Sequence, residues 1–198
     1  MKTNVPVEYR QNQTLEHNKL VERCYMWLAE RAYRGIRATS EFTPSNGYSA
    51  DLVAIMSFFG KRYNERYVPE EFRQQKLVLV CEAKVTRSDY LKHFGEGRDN
   101  IRTQAPMGNL HWILAPSGLI DPSELAKGWG LLEERGASLV EVKKPPFFPM
   151  TKERLHEIEG DMLWAEAHHM RELECYRVLK IVEAMEKKGV FGDLTRTE

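Results

Sequence analysis

At 198 residues, 42% hydrophobic and 29% charged, the chain has the size and balance of one globular domain with an appendage. Its 29 Lys and Arg equal its 29 Asp and Glu, so overall charge points to no polyanion or membrane surface. The longest apolar run, 52–59, is far short of the roughly 20 residues of a membrane helix, no basic-then-apolar leader opens the chain, and three scattered cysteines make neither a zinc site nor a disulfide framework. Secreted, membrane-spanning and zinc-finger classes are thereby excluded, and Cys24, Cys81 and Cys175 read as small buried hydrophobes.

A polar tail, 1–13, precedes a stretch of helical spacing over 14–33. There Val21, Cys24, Tyr25, Leu28 and Ala32 share a face, Thr14 is the candidate N-cap and Gly35 the stop. Pro44-Ser45-Asn46-Gly47 is a turn signal, after which 50–56 is a short apolar strand with Asp51 near its start. The basic stretch 60–76 fits a hairpin loop or short helix. Residues 77–85, rich in β-branched side chains, predict a strand buried on both faces. Thr86 or Ser88 then caps a helix carrying Tyr90, Leu91 and Phe94.

Beyond Gly95 and Gly97 comes a short basic segment, 98–104, followed by a strand at 111–115 and a turn-rich loop over 116–130. A closing hairpin is expected around Gly136, from 131–133 and 138–143. Pro145, Pro146 and Pro149 punctuate the chain, and 151–187 keeps helical spacing despite Gly160. The organisation is a tail over 1–13, an α/β domain over 14–145 and a C-terminal helical arm over 150–190. Charge divides with it: residues 1–112 hold 17 Lys and Arg against 13 Asp and Glu, and 113–198 hold 12 against 16. The arm's apolar stripe is suited to a homodimer or a protein partner, or to folding back on its own core.

The chemistry concentrates in two strands. Glu82 and Lys84 interrupt the most apolar strand of the protein, and strand alternation turns both to the same face. Charges so placed are costly to bury without partners or a solvated cleft. If the strand of Asp51 pairs beside them, two carboxylates converge with a lysine, a donor set suited to Mg²⁺ or Mn²⁺ completed by water and phosphate oxygens.

Asp51 followed by Glu82-Ala83-Lys84, behind a helix carrying Glu22, resembles the PD-(D/E)XK nuclease superfamily. The follow-on Val85-Thr86-Arg87-Ser88-Asp89-Tyr90 narrows the resemblance to the MmcB-type DNA-repair group and its phage-encoded relatives. So do Ala115-Pro116-Ser117-Gly118-Leu119-Ile120 and Gly128-Trp129-Gly130-Leu131-Leu132. Ala50 rather than proline precedes Asp51, and Gly95-Glu96-Gly97-Arg98 stand where the nearest relatives carry a Lys-Trp…Tyr segment.

The resemblance implies an α/β, restriction-endonuclease-like core, a small mixed sheet flanked by helices. It implies a Mg²⁺- or Mn²⁺-dependent nuclease hydrolysing DNA in repair, recombination or phage DNA processing. The expected setting is the cytoplasm of a prokaryote or phage-infected host. Asp51 and Glu82 would be metal ligands, Lys84 the catalytic lysine and Glu22 an auxiliary acid. Arg87, Lys92, Arg98 and Arg102 are candidate phosphate contacts. A silent nucleic-acid-binding or assembly module on the same fold is the alternative.

Other features read as structural. Asp89 suits the first turn of a helix, where it serves the dipole. Glu141-Val142-Lys143 is a second Glu-x-Lys without an acidic partner strand. His168 and His169, adjacent on a helix, point about 100° apart and cannot chelate together. Trp112 and Trp129 are expected in the core.

Overall fold

The computed structural model describes residues 15–32, 36–43, 49–56, 65–95 and 107–187, without the side chains of 169–177 and 179–187. The expected tail, the Thr14 cap, the Gly35 stop, the turn at 44–47 and the basic segment at 98–104 lie outside these residues. Helix α1 (Leu15–Ala29) is followed by β1 (Ile36–Phe42), β2 (Ala50–Met56), a 3₁₀ turn (Glu70–Phe72), β3 (Leu77–Ala83) and α2 (Arg87–Phe94). Then come β4 (Leu110–Pro116), β5 (Gly130–Arg135), β6 (Ser138–Lys143) and α3 (Lys152–Lys187).

The strands form one mixed sheet in sequential order, β1 to β6. β1–β2, β2–β3 and β5–β6 are antiparallel, while β3–β4 and β4–β5 are parallel. The protein is thus α/β, a six-stranded mixed sheet flanked by helices.

All seven residues of β3 are buried, as a strand covered on both faces requires. Leu77, Leu79, Cys81 and Ala83 face a cluster with Leu20, Cys24 and Leu28 of α1. Val78 and Val80 face a second cluster with Tyr90 and Phe94 of α2. Where α1 meets β3 the Sγ atoms of Cys24 and Cys81 lie 3.3 Å apart, both fully buried. The bond to Cys24, together with burial, pushes the Cys81 thiol well above its ordinary range.

β1 is a strand that hydropathy does not single out. Its residues, Ile-Arg-Ala-Thr-Ser-Glu-Phe, are mostly half-buried, as suits the sheet's outer position.

Thr86 provides the cap of α2, its Oγ1 accepting from the Asp89 N–H at 3.1 Å. The hairpin around Gly136 forms with that glycine at φ +65°, a left-handed turn position. Trp112 and Trp129 are buried as expected, at 1% and 2% exposure.

The arm is joined to the domain rather than set apart from it. Ile158 and Met162 are fully buried in the second cluster, and Arg37 of β1 pairs with Glu166 at 3.4 Å. Gly160 lies within α3 and does not break it. At 36 residues α3 is about 54 Å long. Among the described residues no helix is long and apolar enough to cross a membrane.

Candidate active site

Asp51, at the start of β2, and Glu82 and Lys84, at the end of β3, lie at the same edge of the sheet. The β2–β3 register runs to the Leu52–Cys81 pair, and one step further it sets Asp51 opposite Glu82. At this strand end the Asp51 carboxylate is drawn to the β3 backbone and to α1, while Glu82 lies with Lys84 toward α2. Instead of continuing the backbone ladder, Asp51 accepts the Ala83 N–H on Oδ2 at 2.7 Å. On β3's other side the Lys84 N–H donates to the Leu114 carbonyl at 2.9 Å. The Ala83–Lys84 backbone is therefore fixed from both neighbours, and Lys84 is held at the rim of the sheet.

Glu82 and Lys84 are 3% and 5% exposed, with Lys84 Nζ 3.5 Å from Glu82 Oε2. Nζ also lies 3.7 Å from Asp89 Oδ2 and 5.9 Å from the centre of the Phe94 ring. A buried ammonium between two carboxylates meets the need for counter-charge that burial imposes.

His17 of α1 completes the group, its Nε2 3.2 Å from Asp51 Oδ2. Burial lowers the His17 pKa, but the hydrogen bond and charge of Asp51, with the charge of Glu41, outweigh it and leave it above 6.5. Burial likewise raises Asp51. The His17 bond and charge, the Ala83 N–H and the Lys84 charge overcome this and hold the carboxyl below its ordinary 3.8. Asp51 is accordingly a fixed anion at neutral pH.

Among the described residues no three His, Cys, Asp or Glu side chains stand together as a ready metal cluster. The donors present nonetheless match a hard dication that takes one or two carboxylates and keeps water or phosphate in its other positions. Ionised Asp51 and the registered Glu82 are the residues that would hold it.

Glu22 stands further along α1. This residue is exposed and lines a groove of about 480 Å³ with Met26, Arg31 and, at the β5–β6 turn, Ala137 to Leu139. β6 lies four places from β2 in the sheet, so Glu22 does not join Asp51. Five residues after His17, it has turned roughly 140° around the helix. His17 is the α1 residue beside Asp51, and its sequence signal was a histidine in the first turn of the helix.

Of the candidate phosphate contacts, Arg87 pairs with Glu124, Lys92 is exposed on α2, and Arg98 and Arg102 lie outside the described residues. Glu141 is held by Arg66 and the Tyr67 hydroxyl, away from the three central residues. The buried Glu133 accepts from the Gly118 N–H at 3.0 Å and from Ser117, closing the turn after β4. Glu166 is engaged by Arg37, and the His168 ring stacks 5.2 Å from Trp164.

No protein-family model and no curated protein matches the chain. Among solved structures, a protein of unknown function from Silicibacter pomeroyi, SPO1766, is similar with a TM-score of 0.51 at 17% identity. The match covers 77% of this chain and 90% of that one, and it bears on the α/β fold alone.

Proposed function

We propose that the protein is a Mg²⁺- or Mn²⁺-dependent nuclease of the PD-(D/E)XK type, with a restriction-endonuclease-like core, that hydrolyses DNA phosphodiester bonds. One observation carries this reading: a buried Glu82–Lys84 pair lies beside an ionised Asp51 at the shared end of two neighbouring strands. Charges are otherwise rare in such apolar strands, and a perturbed acid beside a buried ion pair at one sheet end is a mark of catalytic sites.

Asp51 and Glu82 would hold the metal, with Asp51 kept ionised and oriented by His17 and the Ala83 N–H. A bound dication supplies a water of lowered pKa and offsets phosphate charge. Lys84, fixed through its own backbone bond to Leu114, presents an ammonium to the negative charge that develops on phosphorus oxygens. Lys92, exposed on α2, and Arg87, once released from Glu124, would meet the flanking backbone phosphates.

The test is a labelled panel of single-stranded, duplex, flapped and branched DNA, and RNA, offered with Mg²⁺, Mn²⁺ or EDTA. Cutting of DNA that EDTA abolishes is expected. Metal-independent retention of DNA without cutting of any substrate would replace the nuclease by a binding module on the same fold.

A further inference from the structure

We infer that Asp89 is a positioning residue that keeps the Lys84 ammonium in place when Glu82 turns to a metal ion. The inference rests on the nuclease reading of Asp51, Glu82 and Lys84. An acid in the first turn of a helix ordinarily serves the backbone N–H groups and the dipole. Here that work is done by another residue. Thr86 is the cap, and the Asp89 N–H itself donates to it. The Asp89 carboxylate is turned elsewhere: Oδ2 lies 3.7 Å from Lys84 Nζ, and Oδ1 lies 3.2 Å from Nδ1 of His93, one helical turn on.

The helix that delivers Asp89 is itself fixed. The Tyr90 hydroxyl donates to the Glu124 carbonyl at 2.8 Å and accepts from the Ala126 N–H at 3.2 Å. Phe94, the ring beside Lys84, packs edge-on against Trp129 at 5.2 Å. Asp89 thus stands on a rigid support rather than a loop.

A buried ammonium must keep a counter-charge. In the metal-free protein Glu82 and Asp89 share that task. Once Glu82 gives its charge to a dication, Asp89 is the carboxylate within ion-pair distance that stays with Lys84. Without Asp89 the metal and the lysine compete for one anion, and metal binding itself weakens.

The decisive experiment is calorimetric titration of the full chain with Mn²⁺ alone, comparing wild type, Asp89→Asn, Asp89→Glu, Lys84→Met and the Asp89→Asn/Lys84→Met double variant. Asp89→Asn is expected to raise the Mn²⁺ Kd about tenfold, the usual scale for a residue supporting a metal ligand. Asp89→Glu, which keeps the charge, stays within about threefold of wild type. In the Lys84→Met background, adding Asp89→Asn changes the Kd by less than about twofold, because the residue that Asp89 serves is gone. In cleavage, Asp89→Asn lowers kcat and leaves KM for DNA within about twofold.

An equal Mn²⁺ loss in both backgrounds, or an Asp89→Glu as weak as Asp89→Asn, would overturn the positioning role. So would a wild-type Mn²⁺ affinity in Asp89→Asn while wild type cuts DNA, and that result would leave the nuclease reading standing. Wild type that neither binds Mn²⁺ nor cuts overturns the nuclease reading, and the role of Asp89 falls with it.

Discussion

Between pH 6.5 and 4, a buried histidine makes this fold sensitive to acid. His111 on β4 is 2% exposed, wedged between the rings of Trp129 and Phe148 at 5.3 and 5.4 Å. Its Nε2 accepts the Gly108 N–H at 3.3 Å, so the neutral ring carries its hydrogen on Nδ1. Burial pushes the His111 pKa down to about 4 from 6.5. Below pH 6.5 the unfolded chain takes up a proton here that the folded chain refuses, so stability falls as pH drops from 6.5 to about 4 and levels off beneath. At ~1.36 kcal/mol per pH unit the loss over this window is about 3 kcal/mol.

Urea unfolding of wild type and His111→Gln at pH 7.5, 6.5, 5.5 and 4.5 isolates the contribution, since other carboxylates titrate alike in both. The wild-type curve is expected to lose about 2–3 kcal/mol more than the variant by pH 4.5. Parallel curves, or a His111 ring that titrates near 6.5 by NMR, would refute the reasoning.

Asp51→Asn removes the charge that lifts His17, leaving burial as the larger influence, so the NMR titration of His17 is expected to fall from above 6.5 to below it. Sign and window follow from the two shifts: the His17–Asp51 bond supports the fold between pH 3.8 and 6.5, fades as pH rises through the raised His17 pKa, and is lost as pH falls through the lowered Asp51 pKa. Met162→Ala, in the part of α3 that packs on the sheet, should cost about 2–5 kcal/mol in urea unfolding. Gly130→Ala sets a Cβ 2.6 Å from Pro145 and 2.7 Å from Trp112 and should cost roughly 1–3 kcal/mol, read as a lowered Tm.

Glu82 and Lys84 of the proposed site stand out in the sequence because charge inside an apolar strand is expensive and so conspicuous. β2, β3 and β4 announce themselves for the same reason, through hydrophobicity. β1 does not, since a half-buried outer strand carries little apolar signal. Helical spacing correctly separates the inward face of α1, with Cys24 and Leu28, from the outward one. It does not say which end of the helix lies over which strand, and this is why Glu22 was expected where His17 stands. The joining of the arm turns on Ile158 and Met162, whose spacing suits a partner's surface as well as the chain's own sheet. Asp89 is hidden by its position: an acid in the first helical turn has an ordinary explanation until Thr86 is seen to supply the cap.

The most direct test of the nuclease site sets wild type beside Glu82→Ala, Lys84→Ala and Glu141→Ala on whichever DNA the panel shows to be cut, in Mg²⁺, with each protein's folding checked by circular dichroism. The two Glu-x-Lys pairs separate the site from mere composition, because Glu141 is engaged by Arg66 and Tyr67 while Glu82 lies with Lys84 and Asp51's strand end. Cleavage lost by a hundredfold or more in Glu82→Ala and Lys84→Ala, and kept in Glu141→Ala, is the predicted result, on the order of the 3 kcal/mol that one transition-state contact supplies. Cleavage that survives in folded Glu82→Ala and Lys84→Ala would contradict the account.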